Sequence, residues 1–450
     1  MDYIAVAALA VFISTLFLMI KRPHGIKLGY AAGIGAVASL LLGTVSLGQT
    51  AESFIHIWDA ALAFIGIVAF SVVLDALGFF KWAALKVVTL AKGNGLRLYF
   101  YISLLTAAVA ILFANDSAVL ILTPIVLEII SQLKMDGNSK MAYLFAAGLI
   151  ADTAAMPLIT SNPINILSAD FFGYTFLDHL TFMAPIAVAT ILTSIAIVYL
   201  FFRKDIPKTY DTTVIDILAE STPIKSSMLK ICIATLVVVD VGYVAASLFR
   251  VPVSFVICSG AVFLAAVYLA SLNGEIIRGE RKGLKALARS INWDIVLFML
   301  SIFLVMQGLT NAGVTELLSE VLLSASALPS VLGVVTPSLV VTVGASFMNN
   351  WPMTILGLMS ISNIASNVAL SGSALTGLVF SNIIGNNLGP HFFPLGSLAI
   401  LMWLEVMKRK GVNISLKSYL KVGAVLSIAE VVVASVVLWL LIALLGFKLF

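Results

Sequence analysis

The 450-residue sequence is 61% hydrophobic and only 11% charged, with a formal net charge of +4. Soluble globular chains are about 45–50% apolar and about 25% charged, so these few charges could not cover a water-facing surface of this size. The composition excludes a soluble enzyme, a nucleic-acid-binding protein and a disordered scaffold, and it predicts an all-α polytopic membrane protein surrounded by the lipid bilayer.

Apolar runs recur along the whole chain, and about 20 helical residues suffice to cross the hydrocarbon core of a bilayer. The first run, residues 3–20, is followed rather than preceded by Lys21 and Arg22, so we predict a retained span and not a cleaved signal peptide. The later runs are residues 28–47, 57–80, 98–114, 117–133, 141–172, 182–202, 231–248, 252–272, 293–309, 328–370, 374–404 and 419–450.

Two runs, 141–172 and 374–404, are too long for one straight crossing and carry Pro, Gly and Asn in the middle. These breakers predict helices that are interrupted inside the membrane. The segment pairs around Asn115 and Asn350 are different, because each pair leaves and returns on one side of the membrane. We predict that each pair is a re-entrant hairpin, although charge bias alone would also allow two full spans.

Lysines and arginines concentrate in six segments, residues 21–27, 81–97, 134–140, 203–230, 278–289 and 408–421, and only Arg250 and Lys448 fall elsewhere. The positive-inside rule assigns all six segments to the cytoplasm. The chain then makes ten full crossings, with both termini outside. This pattern predicts a multi-pass protein of the plasma membrane, the bacterial inner membrane.

The polar stretch 204–230 separates two groups of five crossings, and an odd number inverts the second group. We therefore predict a first inverted repeat (residues 1–203), a cytoplasmic linker (204–230) and a second inverted repeat (231–450), each with one hairpin and one broken helix. Two motif pairs support a duplication, since Asn115 and Asn349 are 234 positions apart and Asp152 and Asn387 are 235 apart.

Polar residues collect at the interruptions of the apolar runs. Polar groups at membrane depth are costly and usually line a cavity or a substrate path, so the interruptions predict a substrate site near the membrane centre. The alternative is that each asparagine caps a helix or joins two helices by hydrogen bonds. The predicted substrate-binding residues are Asn115, Ser117, Thr153, Ser161, Asn162, Asn165, Asn349, Asn350, Asn386 and Asn387.

Asp116 and Asp152 are the acids at these interruptions, with His391 beside Pro390. Burial disfavours an ionised carboxylate, so either aspartate could take up and release a proton during transport. The alternative is a permanently ionised helix cap. The interruptions contain no lysine or arginine, which favours a neutral hydroxyl-bearing solute or a cation as substrate. His391 and the apolar-run acid Glu430 are more simply interpreted as local capping, packing or hydrogen-bonding residues.

The remaining residues argue against other chemistry. Cys232 and Cys258 lie in apolar runs outside every motif, so they form no disulfide framework and no thiol site for a metal. There is no nucleotide-binding loop, zinc motif or nucleophile–base pair. We expect a transporter without a cofactor rather than an enzyme. Open alternatives are sodium- or proton-coupled transport of another small solute, such as an organic anion, and a passive channel for neutral solutes.

Seven strings carry a resemblance to a known family: FANDSA (113–118), LTP (122–124), IADTA (150–154), TSNPINI (160–166), SADFF (168–172), GNNLGP (385–390) and PLGSLA (394–399). They resemble the arsenical pump membrane protein family (ArsB), arsenite/antimonite antiporters of the ion transporter superfamily. The resemblance implies arsenical resistance through efflux of arsenite and antimonite, met as neutral trihydroxides, in exchange for protons. It also implies a soluble ATPase subunit as an occasional partner.

Overall fold

The computed structural model describes residues 3–135, 137–213, 224–272 and 283–450. Residues 214–223 of the predicted linker, and Arg278, Arg281 and Lys282 of the fifth basic segment, lie outside these ranges. The described part is helical apart from turns, loops and one isolated antiparallel bridge between Asn94 and Thr209. Nine of its helices are long and apolar enough to cross a membrane, which confirms the all-α polytopic prediction.

The chain up to the linker forms ten helices. They are α1 (Tyr3–Lys21), α2 (Leu28–Leu41), α3 (Leu47–Ala76), α4 (Phe79–Ala91), α5 (Gly95–Phe113), α6 (Asn115–Gln132), α7 (Ser139–Phe145), α8 (Ala151–Thr153), α9 (Pro163–Phe172) and α10 (Phe176–Phe202). A π-helical turn, Ala146–Ile150, joins α7 to α8 without interrupting the rod.

The described part after the linker forms ten more helices. They are α11 (Ser226–Leu248), α12 (Val253–Leu272), α13 (Leu284–Ser290), α14 (Trp293–Asn311), α15 (Val314–Ser326), α16 (Leu332–Met348), α17 (Asn350–Asn367), α18 (Gly372–Leu388), α19 (Leu398–Arg409) and α20 (Leu416–Ala443). Both long runs are broken as predicted, the first at residues 154–162 between α8 and α9 and the second at residues 389–397 between α18 and α19.

The helix that contains the third apolar run begins ten residues before that run. The run begins at residue 57 but α3 begins at Leu47, because the Ser46 side chain accepts a hydrogen bond from the Gln49 amide and the Ser46 amide donates one to Gln49 Oε1. This capping box satisfies the free amides of the first turn. Polar residues in the first turns of α3 hid its beginning from a search for apolar runs.

Two shorter helices, α4 and α15, were not predicted. Each follows a long helix directly, after a glycine with positive φ: Gly78 (φ 84°) and Gly313 (φ 79°). Glycine adopts this left-handed conformation at little cost, so the chain turns and starts a new helix at once. Lysines in α4 and glutamates in α15 break the apolar pattern that defines a span.

Backbone features recur at equal spacing in the two halves. Gly78 and Gly313 are 235 positions apart, and so are the N-cap residues of α9 and α19, Asn162 and Ser397. Asn115 and Asn350 begin α6 and α17 at the same separation. The sequence comparison that paired Asn115 with Asn349 was therefore displaced by one residue.

Contacts bring several of the basic segments together. The Gly95 amide at the start of α5 donates to the Lys208 carbonyl, and Asn138, after α6, shares a cavity wall with Asp205. Both ends of the α5–α6 hairpin therefore lie beside residues 203–210. Elsewhere the Gly29 amide donates to Asp294 Oδ1, which joins the starts of α2 and α14.

The helices differ in how much they face the outside of the molecule. About two-thirds of the spans in α3 and α14 are buried, compared with 28% of the span in α11. Its exposed side chains are apolar, among them Val237, Val238 and Val241, and α12 exposes Val262 and Phe263. An apolar outer surface of this kind is expected where helices meet lipid.

Candidate functional site

The two hairpin tips share an unusual backbone. Ala114, between α5 and α6, has φ 63° and ψ 153°, and Asn349, between α16 and α17, has φ 82° and ψ 151°. This region is almost restricted to glycine, and another residue there costs on the order of 1–3 kcal/mol. Each tip reverses the chain within one residue, so α6 and α17 begin inside the protein.

Asp152 is the point where the first tip meets both broken helices. It lies in α8 and is 3% exposed. Its Oδ1 accepts hydrogen bonds from Asn115 Nδ2 at 2.7 Å and from Ser397 Oγ at 3.1 Å. The sequence predicted Asn115 and Asp152 at one site, and the structure brings them into contact. Ser397, the N-cap of α19, was not predicted.

A chain of amides joins the two breaks. Asn162 Nδ2 donates to Asn387 Oδ1 at 3.0 Å, and Asn387 Nδ2 donates to Asn165 Oδ1 at 3.0 Å. Asn165 Nδ2 in turn donates to the carbonyls of Ala155 and Leu158 within the first break. These three predicted asparagines therefore connect α9 to α18, and much of their hydrogen-bonding capacity is used on one another.

Three other predicted residues also bond to the protein itself. Asn349 Nδ2 donates to the Leu395 and Gly396 carbonyls of the second break. Asn386 Nδ2 donates to Asn382 on its own helix, and Ser161 Oγ donates to the Ile111 carbonyl of α5 at 2.7 Å. These side chains hold the tips and the breaks in place.

Asp116 occupies a different setting from Asp152. It lines a cavity of about 170 Å³ between α3, α6 and the segment before α14, together with Ser117, Ser71, Asp75 and Asn292. The buried Ser117 Oγ has no hydrogen-bond partner among the described residues. The cavity wall therefore offers a carboxylate and a free hydroxyl directly beside the first hairpin tip.

Asn350 and Thr153 complete the predicted set. Asn350 is buried at the start of α17, and its Oδ1 has no hydrogen-bond partner within the described ranges. Thr153 Oγ1 lies 2.7 Å from Glu430 Oε1 and 3.3 Å from Ser194 Oγ. Thr153 therefore contacts α10 and α20, while Asn350 keeps a free acceptor.

His391 and Glu430, which the sequence analysis interprets as local packing or hydrogen-bonding residues, lie in one cluster with Asp152. His391, in the second break, places Nδ1 2.8 Å from Glu430 Oε2 and Nε2 3.3 Å from Asp152 Oδ2. His391 and Glu430 are completely buried. Asp116 and Asp152 are joined by a third acid, because Glu430 reaches His391 from α20. A carboxylate in an otherwise apolar helix was visible in the sequence, but its partner was not.

The charge balance of the buried region is acidic. Among the described residues, no buried side chain is a lysine or an arginine. Four helices, α6, α9, α17 and α19, begin at the tips and breaks, and each helix start carries a partial positive charge.

The two cysteines lie away from the site. Cys232 is buried in α11, and Cys258 Sγ in α12 donates to the Leu62 carbonyl. Both thiols thus lie outside the hairpins and broken helices.

Comparison with known proteins gives a consistent result. The model of the family described as "Arsenical pump membrane protein" matches residues 7–442. An arsenical pump membrane protein of Escherichia coli is 39% identical over 430 residues, covering 93% of this chain and 95% of its own. One of Yersinia enterocolitica is 37% identical, with the same coverage of both chains.

The fold also resembles a solved structure. The YdaH transporter of Alcanivorax borkumensis, whose topology is described as unusual, superposes with a TM-score of 0.55 at 14% sequence identity. The similarity covers 89% of this chain and 88% of that one and concerns the fold alone. The sequence matches are much stronger and confirm the resemblance found in the motifs. The chain belongs to the arsenical pump membrane protein family, and it is a membrane transporter of arsenicals rather than an enzyme.

Proposed function

We propose that this protein exports the trivalent hydroxides arsenite and antimonite in exchange for protons. The observation that carries the proposal is a buried site of amides, hydroxyls and carboxylates with no buried lysine or arginine in the described part of the chain. A neutral trihydroxide presents hydroxyl groups that amides and carboxylates can bind. It needs no cationic partner, unlike a carboxylate or phosphate substrate.

The predicted residues take two roles in this proposal. Ser117, Asn350 and Asn386 contact the substrate, because each keeps a buried polar atom without a partner among the described residues. The other predicted residues shape the site through hydrogen bonds to neighbouring parts of the protein; they are Asn115, Thr153, Ser161, Asn162, Asn165, Asn349 and Asn387. Asp116, on the cavity, and Asp152, between the broken helices, are the acids that couple transport to the proton gradient.

The proposal includes an architecture. Residues 1–203 and 231–450 are two inverted copies, joined by a cytoplasmic linker at 204–230, in a bacterial inner membrane with both termini outside. The equal spacing of Gly78 and Gly313, and of Asn162 and Ser397, supports the duplication. The contacts that gather the basic segments support one cytoplasmic side. A soluble ATPase subunit would bind at that side.

Arsenite flux into everted membrane vesicles, with and without an imposed proton gradient, tests the proposal. The wild type should accumulate arsenite only with the gradient, and Asp116→Asn and Asp152→Asn should each abolish that accumulation. Asp211→Asn is the matched control, because Asp211 is exposed and bonds only to Thr213 among the contacts described. Normal accumulation and pH dependence in both site variants would remove the aspartates from proton coupling.

The same vesicles separate the other readings. Accumulation that requires sodium instead of a proton gradient would favour a sodium-coupled carrier of another small solute, such as an organic anion. Arsenite flux that only equilibrates across the membrane, whatever gradient is imposed, would indicate a passive channel for neutral solutes. Replacing arsenite by antimonite in the wild type tests whether both hydroxides are substrates.

A further inference from the structure

The second break holds a buried imidazole between two carboxyl groups that come from different helices. Asp152 lies in α8, and Glu430 in the middle of α20. His391 is 0% exposed, and its two ring nitrogens face one carboxyl group each. Burying an imidazole and two carboxyl groups costs free energy unless their charges compensate one another. Packing alone therefore does not explain the arrangement.

The two contacts of His391 are unequal. The Nδ1–Glu430 Oε2 distance is 2.8 Å, and the other oxygen, Oε1, is 2.7 Å from Thr153 Oγ1. Glu430 is therefore engaged on both sides and fixes the orientation of the ring, as a carboxylate does for a catalytic histidine. The contact of Nε2 with Asp152 Oδ2 is longer, 3.3 Å, and poorly aligned for a hydrogen bond.

The protons on the two ring nitrogens of His391 determine which of its two contacts can change. If Nδ1 donates to Glu430, then Nε2 carries either a proton or a lone pair. With a proton, Nε2 faces the Asp152 carboxylate as a favourable ion pair. With a lone pair, two electron-rich atoms face each other in a buried site, and Asp152 Oδ2 must find another donor. One proton thus decides whether Asp152 Oδ2 is occupied.

We propose that His391 carries the exchanged proton at Nε2, oriented by Glu430, and that Asp152 Oδ2 accepts either this N–H or a hydroxyl of the substrate. The inference rests on the proton-exchange function proposed above and assigns its carrier. Facing outward, Nε2 takes up a proton and Asp152 releases the substrate. Facing inward, Nε2 gives the proton to cytoplasmic water, and Asp152 binds the next substrate molecule.

The position of Asp152 explains how such a change would be transmitted. Its other oxygen, Oδ1, accepts from Asn115 at the first hairpin tip and from Ser397 at the start of α19. A substrate hydroxyl or an imidazolium at Oδ2 therefore affects the carboxylate that holds both the first hairpin tip and the start of α19. Mutually exclusive occupation of one carboxylate by proton and substrate gives obligatory exchange, provided that the protein changes its facing only while that carboxylate is occupied.

Other titratable groups near His391 are few among the described residues. Tyr419 on α20 is completely buried, and its hydroxyl has no hydrogen-bond partner within the described ranges. Asp116 lines the cavity beside the first hairpin tip, and among the described contacts the charged partners of His391 are Asp152 and Glu430. An ionised Asp116 is itself a base, so the loss of pH dependence in His391→Gln is the result that distinguishes His391 from Asp116 as the proton carrier.

The test compares His391→Gln and Glu430→Gln in reconstituted vesicles by two assays. The first is arsenite accumulation driven by a proton gradient, and the second is exchange of labelled for unlabelled arsenite at equal pH, which needs no net proton movement. Both variants should lose accumulation and keep exchange. In the wild type the apparent affinity for arsenite in exchange should weaken as pH falls, and His391→Gln should lose this pH dependence. Glu430→Asp should restore part of the accumulation.

His179→Gln is the matched control. His179 is also completely buried, but its ring contacts the Met156 carbonyl and the Tyr174 hydroxyl rather than carboxyl groups. This variant should keep accumulation and the pH dependence of exchange. Normal accumulation in His391→Gln and Glu430→Gln would overturn the inference, and so would loss of exchange together with accumulation, which would mark a structural role. Failure of wild-type accumulation would instead refute the proposed function itself.

Discussion

Buried asparagines in this protein differ in whether their side-chain amides have hydrogen-bond partners within the described residues. Asn387 accepts from Asn162 and donates to Asn165, so both ends of its amide are used to hold the broken helices together. Asn350 is equally buried, but its Oδ1 finds no partner among the described residues. The first kind of residue contributes to stability, whereas the second has an acceptor to offer a substrate.

Asn387→Ala should destabilise the protein, because it leaves the Asn162 amide and the Asn165 carbonyl oxygen buried without partners, at about 1–3 kcal/mol for each. The midpoint of thermal unfolding in detergent should fall. Asn350→Ala should leave that midpoint unchanged and instead weaken arsenite binding. Asn367→Ala, an exposed asparagine that bonds within its own helix, is the control for both. The opposite pattern would exchange the two roles.

Several site residues could be predicted from sequence, but their partners could not. Asn115 and Asp152 stood out because polar residues at interruptions of apolar runs are rare, and they are indeed in contact. Glu430 was set aside, since it lies in a long apolar run without a motif. Its partners Thr153 and His391 are 277 and 39 positions away. Nothing in local composition reports a contact at such separations.

At the scale of elements, helix-breaking residues in the sequence predict where the long helices are interrupted, whereas hydrophobicity predicts the helix boundaries only in part. Pro163 at the start of α9 and the Gly389–His391 turn mark the two breaks, because both interrupt regular helix geometry. The helices α4 and α15 escaped prediction, since charged residues dilute their apolar character. The start of α3 escaped for the same reason, although the Ser46 cap was present in the sequence.

The hairpin tips suggest a test of how an element stores strain. Ala114→Gly should stabilise the protein by about 1 kcal/mol, because glycine adopts the backbone angles of the first tip without the cost borne by other residues. Ala108→Gly, at an exposed position inside α5, should do the reverse and cost about 0.5–1 kcal/mol. Thermal unfolding of the two variants measures both effects. Destabilisation by Ala114→Gly would show that the tip is not strained.

Across the whole molecule, contacts join segments that are far apart in the chain. The Gly95–Lys208 contact joins the basic segments 81–97 and 203–230. Elsewhere, Leu449 near the carboxyl terminus donates to Thr376 Oγ1 at the beginning of α18. The sequence shows in part that features of the two halves are equally spaced. It does not show whether Asn115 corresponds to Asn349 or to Asn350, because these two are adjacent and only the start of α17 distinguishes them.

Thiol labelling tests the proposed orientation of the whole chain. In a background of Cys232→Ser and Cys258→Ser, the single variants Lys208→Cys and Lys448→Cys place a thiol on exposed positions at the linker and near the carboxyl terminus. An impermeant maleimide should label Lys448→Cys on intact cells, and Lys208→Cys only in everted vesicles. Labelling of both from the same side would contradict an odd number of crossings between these positions.

The convergence of four helix starts on the buried site has an electrostatic consequence. Helix starts supply positive potential through peptide dipoles, roughly half an elementary charge each, and this potential is built into the backbone. It can offset carboxylates where a lysine would otherwise be required, yet it neither titrates nor varies with external pH. The positive potential of the helix starts therefore stays constant while side chains in the site gain or lose protons. Replacing any one side chain leaves this potential unchanged.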